Sequence, residues 1–231
     1  MNHEKRKRHR WLAAGSLTVL LITAAVLLLT TSHQTGSQAT RPAQPRVQAQ
    51  ACPVTTSTST IPTAPPSDVV WKSVGAMLVP TSATAGPGHY DGPVWECYAH
   101  SPMGAVLAAY DITATLLSPQ WHTVAEQEIA PGPGRQAFLS ASAGQSYQPL
   151  QPGEIAQPVG FQVAGYTTQQ ATVETLAADT ATGGYQEDEW TLAWIDGDWK
   201  LVMTASGQSG PDPQPVTSAN GFVLWGGASD G

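Results

Sequence analysis

Charge is scarce in this chain: 12% of its 231 residues are Asp, Glu, Lys or Arg, and beyond Ala51 the only basic side chains are Lys72, Arg135 and Lys200. A surface that neutralises phosphates needs clustered Lys and Arg, so nucleic-acid binding by this region is excluded. The chain also has no Gly-x-Ser-x-Gly elbow to present a serine nucleophile, and Gly86-Pro87-Gly88 is not followed by the Lys and Ser/Thr of a phosphate-binding loop. Its length excludes two large domains and fits one medium domain with non-globular segments. Two cysteines, Cys52 and Cys97, are present. They are either a bridge or two unrelated thiols.

What charge there is has an uneven distribution. Residues 1–10 hold five basic side chains against Glu4, which leaves five basic against 16 acidic over the rest of the chain. Directly after this cationic tail, residues 11–31 carry no charge, long enough for a helix to cross a hydrocarbon core. Basic residues on the N-terminal flank place that end in the cytoplasm and export the remainder. The apolar core from Leu12 to Leu29 is 18 residues, longer than the core of a cleaved signal peptide. An uncleaved anchor is therefore the expectation, with cleavage near Ser37-Gln38-Ala39 as the alternative. Cys52 lies too far downstream to be a lipoprotein cysteine.

Residues 32–67 are rich in Thr, Ser, Gln and Pro without an apolar period, and read as a disordered tether. Folded character starts at Asp68, with Val69 to Val79 as a short strand or extended edge segment that stops at Pro80. Thr81 to Pro93 is loop. Ser101-Pro102 then forms a helix start, a side-chain N-cap followed by a proline at the first helical position. Met103, Val106, Leu107, Tyr110, Ala114 and Leu117 follow as one apolar face, with Gly104, Ala108, Asp111 and Thr115 opposite. Trp121 to Ile129 and Ala137 to Ser142 read as short helices around the breaker Pro131-Gly132-Pro133-Gly134.

From Pro158 the period changes to two, and Gly160 to Thr168 is expected to pair with Ala171 to Ala177. In Glu189 to Ala205 the dipeptide Asp196-Gly197 is a two-residue hairpin turn. Pairing Ile195 with Asp198 puts Trp194–Trp199, Leu192–Leu201 and Trp190–Met203 on one face, a separation that a slip of one residue destroys. Residues 206–231 are a polar, Pro-rich tail, except for the apolar segment 222–225, which is expected to dock on the domain.

The whole reads as α+β: an N-terminal transmembrane helix, a disordered tether, and one exported domain over 68–205 with helices packed on a curved antiparallel sheet. The ending "LAWIDGDWKLV" at 192–202 resembles the cystatin-like or nuclear-transport-factor-like α+β family. "LVPTSATAGPG" at 78–88 and "CYAHSPMGAVLAA" at 97–109 resemble an uncharacterised group of actinobacterial single-span membrane proteins associated with integrative and conjugative elements. That resemblance implies a bitopic scaffold or interaction component of a conjugation-like, type IV secretion-like or other envelope assembly, with envelope partners or self-association. It brings no catalytic residues. The alternative is an exported ligand-binding protein or enzyme that uses the concave face of the sheet.

His89, Cys97 and His100 are potential zinc ligands, yet they supply only one Cys-x-x-His pair, so His100 reads instead as bonded to loop backbone. Asp111 with His100 or His122 is a potential acid–base pair, but its place opposite the apolar face reads as solvent-exposed or as a cap to a neighbouring loop. No catalytic, cofactor or metal residue is assigned. Trp71, Trp95, Trp121 and Trp225 are either core or part of an aromatic contact surface.

Overall fold

A computed structural model describes Cys52 and residues 57–151, 155–179 and 183–226. The basic tail, the apolar segment 11–31 and most of the tether lie outside them. Among the described residues no helix is long and apolar enough to cross a membrane.

The domain begins with two small antiparallel ribbons, β1 (Val69–Val74) with β2 (Met77–Ser82), and β3 (His89–Asp91) with β4 (Val94–Glu96). The expected single segment over 69–79 is thus a hairpin. Gly75, at φ +58°, makes the turn, and Pro80 sits inside β2 opposite Trp71 instead of ending the strand. Proline is tolerated there because both strands of a two-stranded ribbon are edges. Three helices follow: α1 (Pro102–Leu116), α2 (Trp121–Glu128) and α3 (Pro133–Ser142).

The main sheet is built from β5 (Gln157–Tyr166), β6 (Gln170–Asp179), β7 (Gly184–Ile195) and β8 (Asp198–Leu201), consecutive and antiparallel. The short strands β9 (Gln214–Val216) and β10 (Val223–Leu224) complete it, in the order β10-β5-β6-β7-β8 with β9 sharing the outer edge of β7. Register irregularities at Pro158/Gly160 and Val163/Gly165 bend β5. α1 packs against β5, β6, β7 and β8 of this sheet and also against β2, β4 and α2.

Enclosure by these elements changes the reading of α1. Ala105, Val106, Leu107, Ala108, Ala109 and Asp111 all have no exposed surface, so the helix has no solvent face for Asp111, contrary to the sequence expectation. A helix enclosed on every side loses the one-sided pattern of a surface helix, and its small residues permit close approach. The Ala99 carbonyl oxygen lies 2.0 Å from where a Cβ on Gly104 would sit. The helix entry is as expected: Ser101 accepts a hydrogen bond from Gly104 N at 3.1 Å, and Pro102 opens the first turn.

The β7–β8 hairpin has the register read from the sequence, Ile195–Asp198, Trp194–Trp199 and Leu192–Leu201, across a turn with φ +53° at Asp196 and +87° at Gly197. The continuation to Trp190–Met203 does not form. Beyond Leu201 one more backbone bond forms, from Val202 N to the Thr191 carbonyl at 2.8 Å, and the chain then leaves to lie against α3, where the Met203 carbonyl oxygen is 2.3 Å from the Cβ position of Gly134. β5 and β6 pair as expected, from Tyr166 with Ala171 to Gln157 with Ala178.

Segment 222–225 docks. Val223 pairs with Phe161 and Leu224 with Gly160, and strand alternation sends Trp225 into the core, where it meets Phe161 at 4.6 Å, Tyr110 at 5.7 Å and Trp71 at 6.1 Å between ring centroids. Residues upstream of Asp68 are also attached to the domain: Cys52 is bonded to Cys97, and Ser57 bridges to His100.

Leu107 is wholly buried where α1 meets the sheet. Leu107→Ala is expected to lower the unfolding free energy by about 2–5 kcal/mol through the cavity it leaves. Urea unfolding followed by tryptophan fluorescence measures this.

Candidate functional site

The residues singled out as potential chemistry do not converge. Cys97 is held in the Cys52–Cys97 disulfide, so its sulfur is not available as a thiolate ligand. His89 faces Glu96 across the β3–β4 ribbon at 3.8 Å. His100 stacks on Trp194 with ring centroids 4.0 Å apart and planes 9° from parallel, its Nε2 2.6 Å from the Thr168 carbonyl oxygen. Backbone bonding is thus the role the structure gives it. Among the described residues, no group of three or more His, Cys, Asp and Glu side chains is placed to hold a metal ion. The Asp111 pairing with His100 or His122 is not made either, since His122 lies on the exposed side of α2 beside Glu126 at 3.6 Å.

Asp111 belongs instead to a buried polar network under α1. It accepts a hydrogen bond from the Tyr98 hydroxyl at 3.1 Å, while its other oxygen, Oδ1, has no protein partner. Glu128, at the end of α2, receives Lys200 Nζ from β8 on both carboxylate oxygens at 3.0 Å. Asp198 accepts from the backbone N–H groups of Cys97 at 2.7 Å, Tyr98 at 3.0 Å and Trp199 at 2.9 Å, which fixes the loop before α1 onto the hairpin. Loss of hydration dominates here: burial pushes Asp111 well above the ordinary carboxylate range and lifts Glu128 to about 7 although Lys200 opposes the shift. This network joins α1, α2 and β8. Through these bonds the network holds the three elements together.

A cavity with a carboxylate in its lining lies elsewhere, between α1 and the sheet. It encloses about 360 Å³ and is bounded by Met77, Tyr110, Thr113, Leu117, Thr175 and Trp190, with Gln186 and Asp188 also lining it. Strand alternation explains the grouping, because Thr175 pairs with Asp188 and Ala177 with Gln186, so these four residues share the face of the sheet turned to α1. Trp190 Nε1 donates to Thr175 Oγ1 at 2.7 Å, and Gln186 Nε2 donates to Asp188 Oδ2 at 3.1 Å. Burial raises the Asp188 carboxyl, with the Gln186 hydrogen bond opposing. A second depression, about 400 Å³, is bounded by Leu116, Trp121, Phe138, Tyr147 and Leu150 and has no charged group in its lining.

Sequence reasoning missed Gln186, Asp188 and Thr175 and assigned Trp190 to the core. The available signal was the spacing 186, 188, 190 in the run "YQEDEW", which places polar groups on the face that elsewhere holds Leu192. Of the four tryptophans weighed for a contact surface, Trp225 is core, Trp71 packs edge-on to it, Trp95 meets Tyr90, and Trp121 meets Phe138.

The raised carboxyls have a definite consequence for stability. Between the unfolded value near 4.5 and the folded value of about 7, native Glu128 binds more protons than the unfolded chain, so stability falls as pH rises through that window. Asp111 acts in the same direction. The thermal midpoint is therefore expected to be higher at pH 5 than at pH 8, and Asp111→Asn should reduce the difference. Lys200→Met removes the cation from a buried carboxylate and is expected to cost about 3–5 kcal/mol at pH 8 and less at pH 5, measured by denaturant titration at both values.

Comparison with known families gives one match, a domain of unknown function, DUF8175, over residues 32–224, and the chain belongs to that family. No curated protein and no solved structure is detectably similar to it.

Proposed function

We propose that this DUF8175 protein is a single-span membrane protein, N-terminus cytoplasmic, which presents its α+β domain outside the cytoplasm as a scaffold or interaction component of an envelope assembly and is not an enzyme. The observation that carries the reading is the Cys52–Cys97 disulfide. Such bonds persist in oxidising compartments, and this one lies on the side of segment 11–31 that the basic N-terminal flank assigns to the exterior. It also ties a residue about 20 positions beyond that segment to the stretch between β4 and α1. An assembly of the type IV secretion-like kind is the form of this reading that the resemblance read in 78–88 and 97–109 implies. The order of three helices followed by an antiparallel meander packed on α1 supports the cystatin-like or nuclear-transport-factor-like reading of the fold.

A second reading, an exported small-ligand-binding domain, is favoured by the cavity containing Asp188. The two differ in what accompanies the protein from the cell. A reporter fused after Gly231 is expected to be active outside the cytoplasm, and the mature chain to retain residues 1–31. Full-length tagged protein extracted in mild detergent is expected to bring envelope proteins or further copies of itself with it. Recovery as a bare monomer, or a mature N-terminus at Thr40, would overturn the assembly reading.

A further inference from the structure

We propose that the cavity between α1 and the main sheet is a binding site for a small organic cation with an apolar body, an alkyl- or arylammonium whose charged group rests on the Asp188 carboxylate. The inference deepens the ligand-binding reading and rests on it; it does not require the membrane assembly.

The argument starts from what surrounds Asp188. Among the described residues no Lys, Arg or His lines the cavity, and Asp188 receives a hydrogen bond from a neutral amide, Gln186 Nε2, at 3.1 Å. A carboxylate partly withdrawn from water without a cation is unfavourable as it stands, and a ligand ammonium supplies the missing charge together with hydrogen-bond donors. The remaining walls set the rest of the ligand. Met77 and Leu117 are aliphatic, and Tyr110 and Trp190 add aromatic surface, which favours a cation over a neutral group of the same shape. The ring positions are fixed in advance. Trp190 is held by Thr175, and the Tyr110 hydroxyl donates to the Gly160 carbonyl, so little ordering remains to be done on binding. A volume of about 360 Å³ is at the small end of ligand pockets, which run from about 300 to 1,000 Å³, and so selects a compact ligand over a peptide.

The test is calorimetric titration of the full-length protein in non-ionic detergent, blank-corrected, with 3-phenylpropylammonium chloride and with its neutral analogue 3-phenylpropan-1-ol. The ammonium compound is expected to bind once per chain and the alcohol at least about tenfold more weakly. Asp188→Asn should weaken the ammonium compound by about tenfold or more. Thr113→Leu, which fills the cavity from the α1 side, should remove binding, and Glu174→Gln, on the opposite face of the sheet, should leave it unchanged. Equal binding of alcohol and ammonium to the wild type, or undiminished ammonium binding by Asp188→Asn, would overturn the cation assignment while the ligand-binding reading stood. Failure of both compounds to bind the wild type would overturn both. Because the alcohol comparison and Thr113→Leu do not involve the acidic position, the test survives an unstable Asp188→Asn.

Discussion

A helix enclosed on every side imposes a constraint that the remainder of the domain satisfies. With the sheet, β2, β4 and α2 all packed against α1, each position must be either small or matched by a partner. Gly104, Ala105, Ala108 and Ala109 meet the first condition and allow neighbouring backbones to approach, while Val106 and Leu107 are matched by the apolar core. Asp111 meets the second through Tyr98, and Thr115 turns its hydroxyl back to the Asp111 carbonyl at 2.8 Å. The C-terminal return of the chain follows from the same requirement, because the end of the core near Tyr110 and Phe161 is closed by Trp225, a side chain delivered from the far end of the sequence. Without β10 on the edge of β5, those two aromatic residues would face water.

How legible the fold was depended on how local each determinant is. The β7–β8 register is written in a few adjacent residues: Asp196-Gly197 sets the turn, and the alternation of Trp194, Trp199, Leu192 and Leu201 leaves a single consistent pairing. The start of α1 is equally local, a cap and a proline. The burial of Asp111 is not. On a helical wheel it lies one turn on from Leu107, on the flank of the apolar face that it shares with Gly104, Ala108 and Thr115; that flank reads as solvent-facing only if nothing packs there, and β2 and β4, which also pack on α1, are distant in sequence from the main sheet. Pro80 misled for a related reason, since its missing N–H excludes a central strand and is harmless in a ribbon of two edges.

The cavity was illegible for a different reason. Its walls come from β2, α1, the residues before β5, β6 and β7, and only their assembly turns Thr175, Gln186 and Asp188 towards one space. Read along the strand, Asp188 is one acidic residue among Glu187 and Glu189. It is the period of two that separates it from them, since Asp188 faces α1 while Glu187, Glu189 and the paired Glu174 share the other face.

Scarcity of basic residues gives the domain its electrostatic character. Each of the three beyond Ala51 is engaged within the fold. Lys200 joins β8 to Glu128, Arg135 on α3 donates to the carbonyls of Glu126 and Ile129 and so fastens α3 to α2, and Lys72 lies 4.2 Å from the centre of the Tyr90 ring, joining one ribbon to the other. With its cations used to hold elements together, the domain leaves carboxylates uncompensated on both faces of the sheet. On the outer face, burial and mutual repulsion with Glu187 and Glu189 raise Glu174; on the inner face, Asp188 lacks a resident counter-charge in its cavity. A field of one sign with no internal correction favours cationic ligands and basic partner surfaces, and it acts within a Debye length of about 10 Å at 0.1 M salt. Association with such partners would therefore weaken with ionic strength at the exposed glutamates, while the partly enclosed Asp188 would be screened less.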